Sequence, residues 1–191
     1  MKLLREWIAL DYTPSMITES REKNGGKIML PCILQKAHLK NQNGRIYPKE
    51  VLIREVENYI KVVQESRALG ELDHPETSTV ALDRASHIIR ESYWEGDTVR
   101  GVVEVLPTPK GLILAQLLEA GVRIGMSSRG IGSTEQTNEG TDVVQDDYGL
   151  ICFDAVSEPS TPGAFINENI KIDSKRMYTK SDRIWRALND I

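Results

Sequence analysis

The stretch ASHIIRESYWEGDTVRGVVEVL, residues 85–106, decides the fold class of this chain. Two runs rich in β-branched and aromatic residues stand on either side of the turn sequence EGD at 95–97, which is the pattern of a β-hairpin. Pro107 and Pro109 end the second run, because proline cannot donate to a strand ladder. The stretch therefore predicts a pair of antiparallel strands.

Strands and helices on either side of this hairpin follow no regular alternation. Residues 28–38 predict a strand whose Pro31 belongs at an edge or a bulge. Pro48 begins a predicted amphipathic helix that runs to about Ser66. The mixture predicts an α+β fold with a mainly antiparallel sheet or barrel. The other predictions are an exposed linker over 11–27, a helix over 111–121, strands within 141–145 and 148–156, and a terminal helix over 178–190.

The composition describes an ordinary globular protein of one domain. The 191 residues are 40% hydrophobic and 27% charged, which is enough for one buried core. The net charge of −4 gives no overall attraction for nucleic acid, and no apolar run reaches the length of a membrane span. Cys32 and Cys152 lack metal-ligand spacing, so we expect reduced thiols in a reducing compartment. We therefore predict a soluble cytoplasmic protein that binds neither nucleic acid nor a membrane.

One polar loop concentrates functional side chains around a histidine. In GELDHPE, residues 70–76, His74 lies among the carboxylates of Glu71, Asp73 and Glu76. A solvated loop histidine is one interpretation. A metal-dependent hydrolase centred on His74 is another, since these residue types are metal ligands. The sequence contains no HExxH motif and no second clustered histidine, which argues against the metal.

Two further segments supply a serine and an acid. In GMSSRGIG, residues 125–132, small side chains let another backbone approach closely, although a glycine-rich turn or a strand end with two incidental serines is the plainer interpretation. Asp154 stands in the strand sequence CFDAV. An acid in a half-buried strand needs a partner, which is either a histidine or the basic residue of a structural salt bridge.

Together these segments predict a nucleophile, a base and an orienting acid. A serine hydroxyl is a poor nucleophile near neutral pH until an imidazole accepts its proton, and that imidazole needs a fixed tautomer. The chain order His, Ser, Asp is no objection, because the order of such triads differs among unrelated folds. Hydrolysis through a covalent serine intermediate is the chemistry that this set of side chains predicts.

The order of four motifs resembles that of the prohead core proteases of T-even-type tailed bacteriophages. The motifs are GRIYPKE at 44–50, ALGELDHPE at 68–76, GMSSRGIGSTEQTNEG at 125–140 and DAVSEPSTPGAF at 154–165. The resemblance covers roughly residues 28–168. It implies a fold like that of the herpesvirus assembly proteases, a mainly antiparallel β-barrel flanked by helices. It also implies a serine endopeptidase that needs neither a metal nor an organic cofactor.

The same resemblance implies roles for individual residues. His74 corresponds to the base, Ser127 to the nucleophile and Asp154 to the third member. Ser128 remains a competitor of Ser127, because chemistry alone does not separate two adjacent serines. His87 remains a competitor of Asp154, because the herpesvirus relatives use a second histidine as third member.

Residues next to the nucleophile are candidates for two further tasks. We expect the backbone N–H groups of Arg129 and Gly130 to form the oxyanion hole. A basic side chain such as that of Arg129 is the chemical expectation for selecting a substrate glutamate. Both expectations place Arg129 in contact with the substrate.

Members of the resembled family cut after a Glu that follows a Leu or Ile by two positions. This chain contains the pattern seven times, so accessibility must decide which sites are cut. Glu19 is expected to be the most exposed, and Glu168 lies beyond all three site residues in the sequence, so we predict self-cleavage after both. The predicted divisions are an N-terminal segment and linker over 1–27 that self-cleavage removes, a protease domain over 28–168, and a tail with a helix over 169–191.

The resemblance implies phage scaffold and capsid proteins as substrates, cut inside the assembling prohead in the host cytoplasm. It also implies a homo-oligomer, with Trp7 and Trp185 either as contacts or as core residues. A non-enzymatic scaffold or assembly protein that keeps the protease fold is the alternative. The presence of all three triad residues argues against it, because an inactive site has no physical need to keep them.

Overall fold

The computed structural model describes residues 2–41 and 43–157. Within them, ten strands form three sheets, joined by three α-helices and one 3₁₀ turn. The predicted helix over 178–190 and Trp185 lie outside the described residues. The strands are β1 Lys2–Ala9, β2 Met29–Lys36, β3 Arg45–Ile46, β4 Leu69–Glu71, β5 Ala85–Glu95, β6 Thr98–Val105, β7 Gly125–Gly132, β8 Thr134–Gln136, β9 Asp142–Val144 and β10 Gly149–Val156. The helices are α1 Pro14–Lys23, α2 Lys49–Gln64 and α3 Pro109–Glu119, and the 3₁₀ turn is Leu82–Arg84.

The predicted hairpin is confirmed as strands β5 and β6. Gly96 and Asp97 form the turn, and Gly96 adopts φ +61°, a conformation that favours glycine. The hairpin is the centre of a four-stranded antiparallel sheet in the order β2-β6-β5-β4. Pro31 lies in β2, an edge strand of this sheet, as predicted.

A second antiparallel sheet, in the order β1-β7-β10, carries the serine segment in its central strand. The segment GMSSRGIG is therefore strand β7 and not a glycine-rich turn. Its register places Trp7 of β1 on one side of Ser127 and Asp154 of β10 on the other. The predicted strand over 148–156 is confirmed as β10.

The described strands form no closed barrel, so the barrel of the predicted architecture is not shown. The four-stranded sheet ends at β2 and β4, the sheet of β7 ends at β1 and β10, and neither closes on itself. The third sheet, β3-β9-β8, includes the parallel pair β3–β9. The α+β class with mainly antiparallel pairing is confirmed.

The helix predicted from Pro48 is confirmed as α2, with Pro48 at its N-cap position. Its apolar stripe is buried against the sheets, and the Tyr59 ring meets the Phe153 ring of β10 edge-on, with centroids 5.2 Å apart. The helix therefore supports the strand that carries Asp154. None of the helices in the described part of the chain is long and apolar enough to cross a membrane.

The N-terminal residues differ from their prediction, because most of the expected linker over 11–27 is helix α1. The Thr13 side chain caps the helix, and Ile17 packs into the core with 1% of its surface exposed. The Ser20 hydroxyl donates to the Met29 carbonyl at 2.8 Å and accepts from the Met29 N–H at 2.7 Å. The helix buries only a narrow stripe, which explains why its hydrophobic period is weak in the sequence.

Glu6 ties strand β1 to the segment that precedes α2. Its carboxylate is 1% exposed, and burial raises the pKa of this carboxyl against the opposing effect of its hydrogen bonds. The donors are Arg45 Nη1 at 2.9 Å, the Tyr47 hydroxyl at 3.0 Å, the Asn43 amide at 3.0 Å and the Asn41 amide. The first strand is therefore an integral part of the fold and not a loose terminus.

Replacing Glu6 by alanine leaves these donors without their shared acceptor. We expect Glu6→Ala to lower the free energy of unfolding by about 2–3 kcal/mol in urea denaturation. Glu119→Ala is the matched control, because it breaks an ion pair with Arg21 whose side chains are 44% and 46% exposed. The control should cost less than about 1 kcal/mol. Equal effects of the two substitutions would show that the Glu6 contacts do not hold β1.

Candidate active site

Ser127 and Asp154 face each other across the strand pair β7–β10. The antiparallel register pairs their Cα atoms directly, so both side chains point to the same face of the sheet. Ser127 is 1% exposed and Asp154 is fully buried. The backbone ladder therefore brings the serine and the acid together before their side chains make any contact.

His74 lies in the loop that follows β4, and backbone contacts attach this loop to β10. Leu72 forms a parallel bridge with Ala155, and the Asp73 N–H donates to the Ala155 carbonyl at 2.8 Å. Asp73 adopts φ +70°, a left-handed conformation that aspartate tolerates, and its carboxylate accepts the His74 N–H at 2.8 Å. This turn brings the imidazole to Ser127 and Asp154.

The structure brings the three predicted site residues into one hydrogen-bonded series. His74 Nδ1 lies 2.9 Å from Asp154 Oδ2, and His74 Nε2 lies 2.5 Å from Ser127 Oγ. Because an ionised carboxylate only accepts, Nδ1 carries the proton and Nε2 is left to accept from the serine hydroxyl. The His74 side chain is 15% exposed, so the series reaches the surface through the imidazole.

Asp154 stays ionised although it is buried. Burial alone raises the pKa of this carboxyl, but the His74 hydrogen bond, the Arg129 charge and the Glu71 N–H together lower the pKa below its ordinary value. The Glu71 N–H donates to Oδ1 at 3.0 Å, and Arg129 Nη2 donates to the same oxygen at 3.1 Å. An ionised Asp154 fixes the imidazole tautomer that a general base requires.

Comparisons with known proteins identify the family. A family model described as prohead core protein serine protease matches residues 11–176. The chain belongs to this family. It is 36% identical over 187 residues to the prohead core protein protease of Enterobacteria phage T4. The aligned residues cover 94% of this chain and 88% of the relative. The solved structure of the bacteriophage T4 capsid assembly protease, gp21, is similar with a TM-score of 0.72 at 30% identity, covering 83% of this chain and 98% of that one.

In this prohead protease the rival third member, His87, has other partners. Its Nε2–H donates to the Phe153 carbonyl at 2.9 Å, and its Nδ1 accepts the Ser86 hydroxyl at 2.8 Å. Burial lowers the pKa of His87, against the opposing effect of the Phe153 carbonyl and of Asp154, so the ring is held neutral. With both ring nitrogens engaged, His87 supports the backbone beside Asp154 and does not contact His74.

The rival nucleophile, Ser128, points to the other face of β7. Successive side chains of a strand alternate between faces, and Ser128 Oγ accepts from the Gln35 amide at 3.3 Å. It is 1% exposed, like Ser127, so burial does not separate the two serines. The direction of the side chains separates them, because His74 contacts the hydroxyl of Ser127 and not that of Ser128.

The structure places Arg129 and Gly130 inside the central strand, between β1 and β10. Backbone groups of a central strand are used by the ladders on its two sides, so the oxyanion-hole prediction gains no support here and stays a prediction. The Arg129 side chain is fully buried and contacts Asp154, and it is not available to select a substrate glutamate.

The metal alternative centred on His74 is not supported by the arrangement of donors. Both of its ring nitrogens are engaged, one by Asp154 and one by Ser127. Within residues 2–41 and 43–157, no group of three or more His, Cys, Asp or Glu side chains is placed to hold a metal ion.

Cys32 and Cys152 are buried free thiols, as expected.

Glu71 is a site residue whose role the sequence did not reveal. Its side chain is fully buried, Oε1 accepts the Ala81 N–H at 2.6 Å, and Oε2 lies 3.0 Å from Arg84 Nε. The segment LGE of β4 is too short to show a strand period. From the sequence alone, Glu71 is therefore indistinguishable from a solvated residue of the loop. In the structure, Glu71 closes the loop that carries His74.

Gly70 permits the close approach of β4, β5 and β10 behind the acid. A Cβ added at Gly70 would lie 2.0 Å from the Phe153 carbonyl oxygen and 2.2 Å from His87 Nε2. We therefore expect Gly70→Ala to lower the free energy of unfolding by about 3 kcal/mol in urea denaturation. Gly149→Ala is the control, because a Cβ there meets nothing within 4 Å, and its effect should stay within about 0.5 kcal/mol. A tolerated Gly70→Ala would contradict the tight packing behind Asp154.

Proposed function

We propose that this chain is a serine endopeptidase in which Ser127, His74 and Asp154 form the catalytic triad. The observation that carries the proposal is the series of hydrogen bonds from Asp154 through His74 to Ser127, at 2.9 and 2.5 Å. Family membership supports the same serine class. The three side chains come from separate parts of the chain, and their convergence with matching donor and acceptor roles is specific to nucleophilic hydrolysis.

The proposed reaction proceeds through an acyl-enzyme. Ser127 Oγ attacks the scissile carbonyl while His74 Nε2 takes the hydroxyl proton, and Asp154 stabilises the resulting imidazolium. His74 then gives the proton to the leaving amine, and the peptide bond breaks. A water molecule, deprotonated by His74, attacks the ester carbonyl and regenerates the serine hydroxyl. Every proton transfer in this scheme passes through His74 Nε2.

We further propose that the substrates are phage scaffold and capsid proteins, cut inside the assembling prohead. The relatives support this assignment: one is described as a prohead core protein protease of phage T4, and one as a T4 capsid assembly protease. The relation to herpesvirus assembly proteases, implied by the sequence resemblance, belongs to the same proposal. Oligomeric assembly of this protease is likewise proposed from the resemblance alone.

The alternative is an assembly protein that keeps this fold without cutting peptides. The feature that favours the enzyme is the buried ionised Asp154 held against an imidazole, an arrangement that a purely structural role does not require. Burying charges is unfavourable unless partners compensate them, and replacing a whole buried ion pair by apolar side chains is often neutral or stabilising, so an inactive chain does not need the pair of Asp154 and Arg129. A direct assay of the nucleophile separates the two functions.

Ser127→Ala should abolish peptide cleavage, whereas Ser128→Ala should leave most of it. We expect the first substitution to lower kcat by roughly a factor of 10⁶, because no other hydroxyl lies against His74 Nε2 among the described residues. Cleavage of a peptide containing Leu-x-Glu, followed by mass spectrometry, measures both variants against the parent.

The adjacent serine makes this comparison sharp, since both substitutions remove one hydroxyl from the same strand. Loss of activity in Ser128→Ala with retention in Ser127→Ala would move the nucleophile to the other face of β7. Cleavage that persists in both variants would refute the serine mechanism. A parent protein that cuts no peptide would favour the non-enzymatic alternative.

Self-cleavage after Glu19 is part of the proposal, as is the division into 1–27, 28–168 and 169–191. Accessibility supports Glu19, whose side chain is 60% exposed, whereas three other matches to the pattern, at Glu6, Glu55 and Glu71, are buried. Glu19 lies within α1, so the helix must unwind locally before the bond can enter an active site. Glu168 lies outside the described residues.

Glu19→Gln should prevent the cut after residue 19 during incubation of the purified protein. Glu22→Gln is the matched control, because Glu22 is exposed on the same helix but follows Ser20 and not a Leu or Ile. Masses must be measured under denaturing conditions, since β1 pairs with β7 and a released fragment can stay bound. An unchanged cut in Glu19→Gln, or no cut at all while a supplied peptide is hydrolysed, would contradict this prediction.

A further inference from the structure

Arg129 is a charged side chain with no exposed surface, and it lies beside the proposed triad. It stands two residues after Ser127 on β7, so the two side chains share one face of the sheet. Burying a guanidinium is unfavourable unless charged and hydrogen-bonded partners surround it. The identity of those partners therefore indicates what the arginine does.

One side of the guanidinium holds Asp154. Arg129 Nη2 donates to Oδ1 at 3.1 Å, and Nε lies 2.9 Å from Oδ2 in an ion pair that is not aligned as a hydrogen bond. His74 occupies Oδ2 and the Glu71 N–H occupies Oδ1. The arginine thus contacts both oxygens of the carboxylate and fixes the rotation that aims Oδ2 at the imidazole.

The other side of the guanidinium holds the loop that carries His74. Arg129 Nη1 donates to the Thr77 carbonyl at 2.8 Å and contacts the Thr79 carbonyl at 3.5 Å. These residues follow His74 by three and five positions, in an exposed part of the loop. The Asp73 N–H is bonded to β10, and the Ala81 N–H is bonded to Glu71. Arg129 therefore joins the middle of the loop to the strand that carries the nucleophile.

Charged and titratable groups of β10 and β4 contact Arg129, and the register sets Arg5 of β1 opposite it. β10 supplies Asp154 and the Cys152 thiol, with Nη2 3.1 Å from Sγ, and β4 supplies Glu71, with Oε1 3.5 Å from Nη2. Arg84 of the 3₁₀ turn pairs with the far oxygen of Glu71. The carboxylates of Asp154 and Glu71 therefore compensate the buried charge of Arg129, and Arg84 pairs with Glu71 from the surface side.

We infer that Arg129 is a positioning residue of the proposed reaction, which holds the Asp154 carboxylate toward His74 and the His74 loop against the strand that carries Ser127. The inference rests on the proposed function, because it assigns Arg129 a role through Asp154 and His74 and not through contact with substrate. Lysine cannot replace it fully, because one ammonium group cannot reach both carboxylate oxygens and two loop carbonyls.

The test uses Arg129→Gln and Arg129→Lys, each in the Ser127→Ala background, which prevents self-cleavage. Carbon-13 NMR of the aspartate carboxyl groups follows the titration of Asp154, with Asp154→Asn assigning its signal. Removing the positive charge should raise the Asp154 midpoint by about one pH unit or more in Arg129→Gln, whereas Arg129→Lys should shift it less. The matched control is Arg90→Gln, which breaks an ion pair with buried Glu104 in the other sheet and should leave Asp154 unchanged.

A second measurement separates positioning from stability. In otherwise unchanged protein, Arg129→Lys should lower kcat at least tenfold with little change in KM, because the arginine does not touch the substrate. In Arg129→Gln, the acidic limb of the kcat/KM profile should move to higher pH, because removing a positive charge beside the Asp154–His74 pair favours the protonated form of the pair. A variant that is only less stable would lose active protein without moving this limb.

The outcomes distinguish the inference from the proposed function. A folded Arg129→Gln variant with an unchanged Asp154 midpoint, or an Arg129→Lys variant with parental kcat, would overturn the inference while the protease remains. An Asp154 shift in a chain that cuts no peptide would refute the proposed function and support the coupling of Arg129 to Asp154. Where circular dichroism shows that Arg129→Gln does not fold, Arg129→Lys decides, through its kcat and its Asp154 midpoint.

Discussion

The register between β7 and β10 is the constraint on which the site depends. It sets Ser127 opposite Asp154, and a slip of one residue would turn one of the two side chains to the other face of the sheet. The ladder contains one irregularity, between Leu150 and Cys152, and it lies before the acid. From Cys152 to Val156 the pairing is regular, so the distance between serine and acid is set by backbone hydrogen bonds.

The two faces of β7 carry different polar clusters. Ser127 and Arg129 point toward the His74 loop, whereas Ser128 points the other way and accepts from Gln35. Glu6 pairs with Ser128 in the register and gathers its own set of donors from the segment before α2. One strand is thus fixed from both faces, which limits its freedom to twist or shift during catalysis. Rigid support of this kind is what the proposed role of Ser127 as nucleophile requires.

The sequence predicted those features that have a strong local pattern. The hairpin of β5 and β6 was predictable because its turn and its β-branched runs agree, and α2 was predictable because its apolar stripe is wide. His74, Ser127 and Asp154 were identified as candidate site residues from residue type and from the family resemblance. Their geometry was not predictable, because it depends on which strands pair.

Features that depend on tertiary contacts escaped prediction. The alternation in KLLREWIA is typical of a strand, but β1 was not predicted, because residues 1–27 were interpreted as a terminal segment and linker. In α1, Thr13 and Pro14 mark a helix start, yet the polar composition of the segment is typical of a linker. Arg129 was expected to meet substrate, because an arginine beside a nucleophilic serine reads as a binding group. No local pattern reveals that Asp154 and Glu71 surround it.

The support of the proposed triad is unequal, and this inequality determines where activity can change without loss of the fold. Ser127 and Asp154 are held by strand ladders that also hold the core, so displacing them disrupts a sheet. His74 stands on a loop whose position depends on individual contacts, from Asp73 to β10 and from Arg129 to Thr77. Each contact is worth little beside the stability of the whole domain, yet a displacement of about 1 Å can lower a rate about a hundredfold. Substitutions that weaken these loop contacts should therefore change the reaction rate much more than they change the stability of the fold.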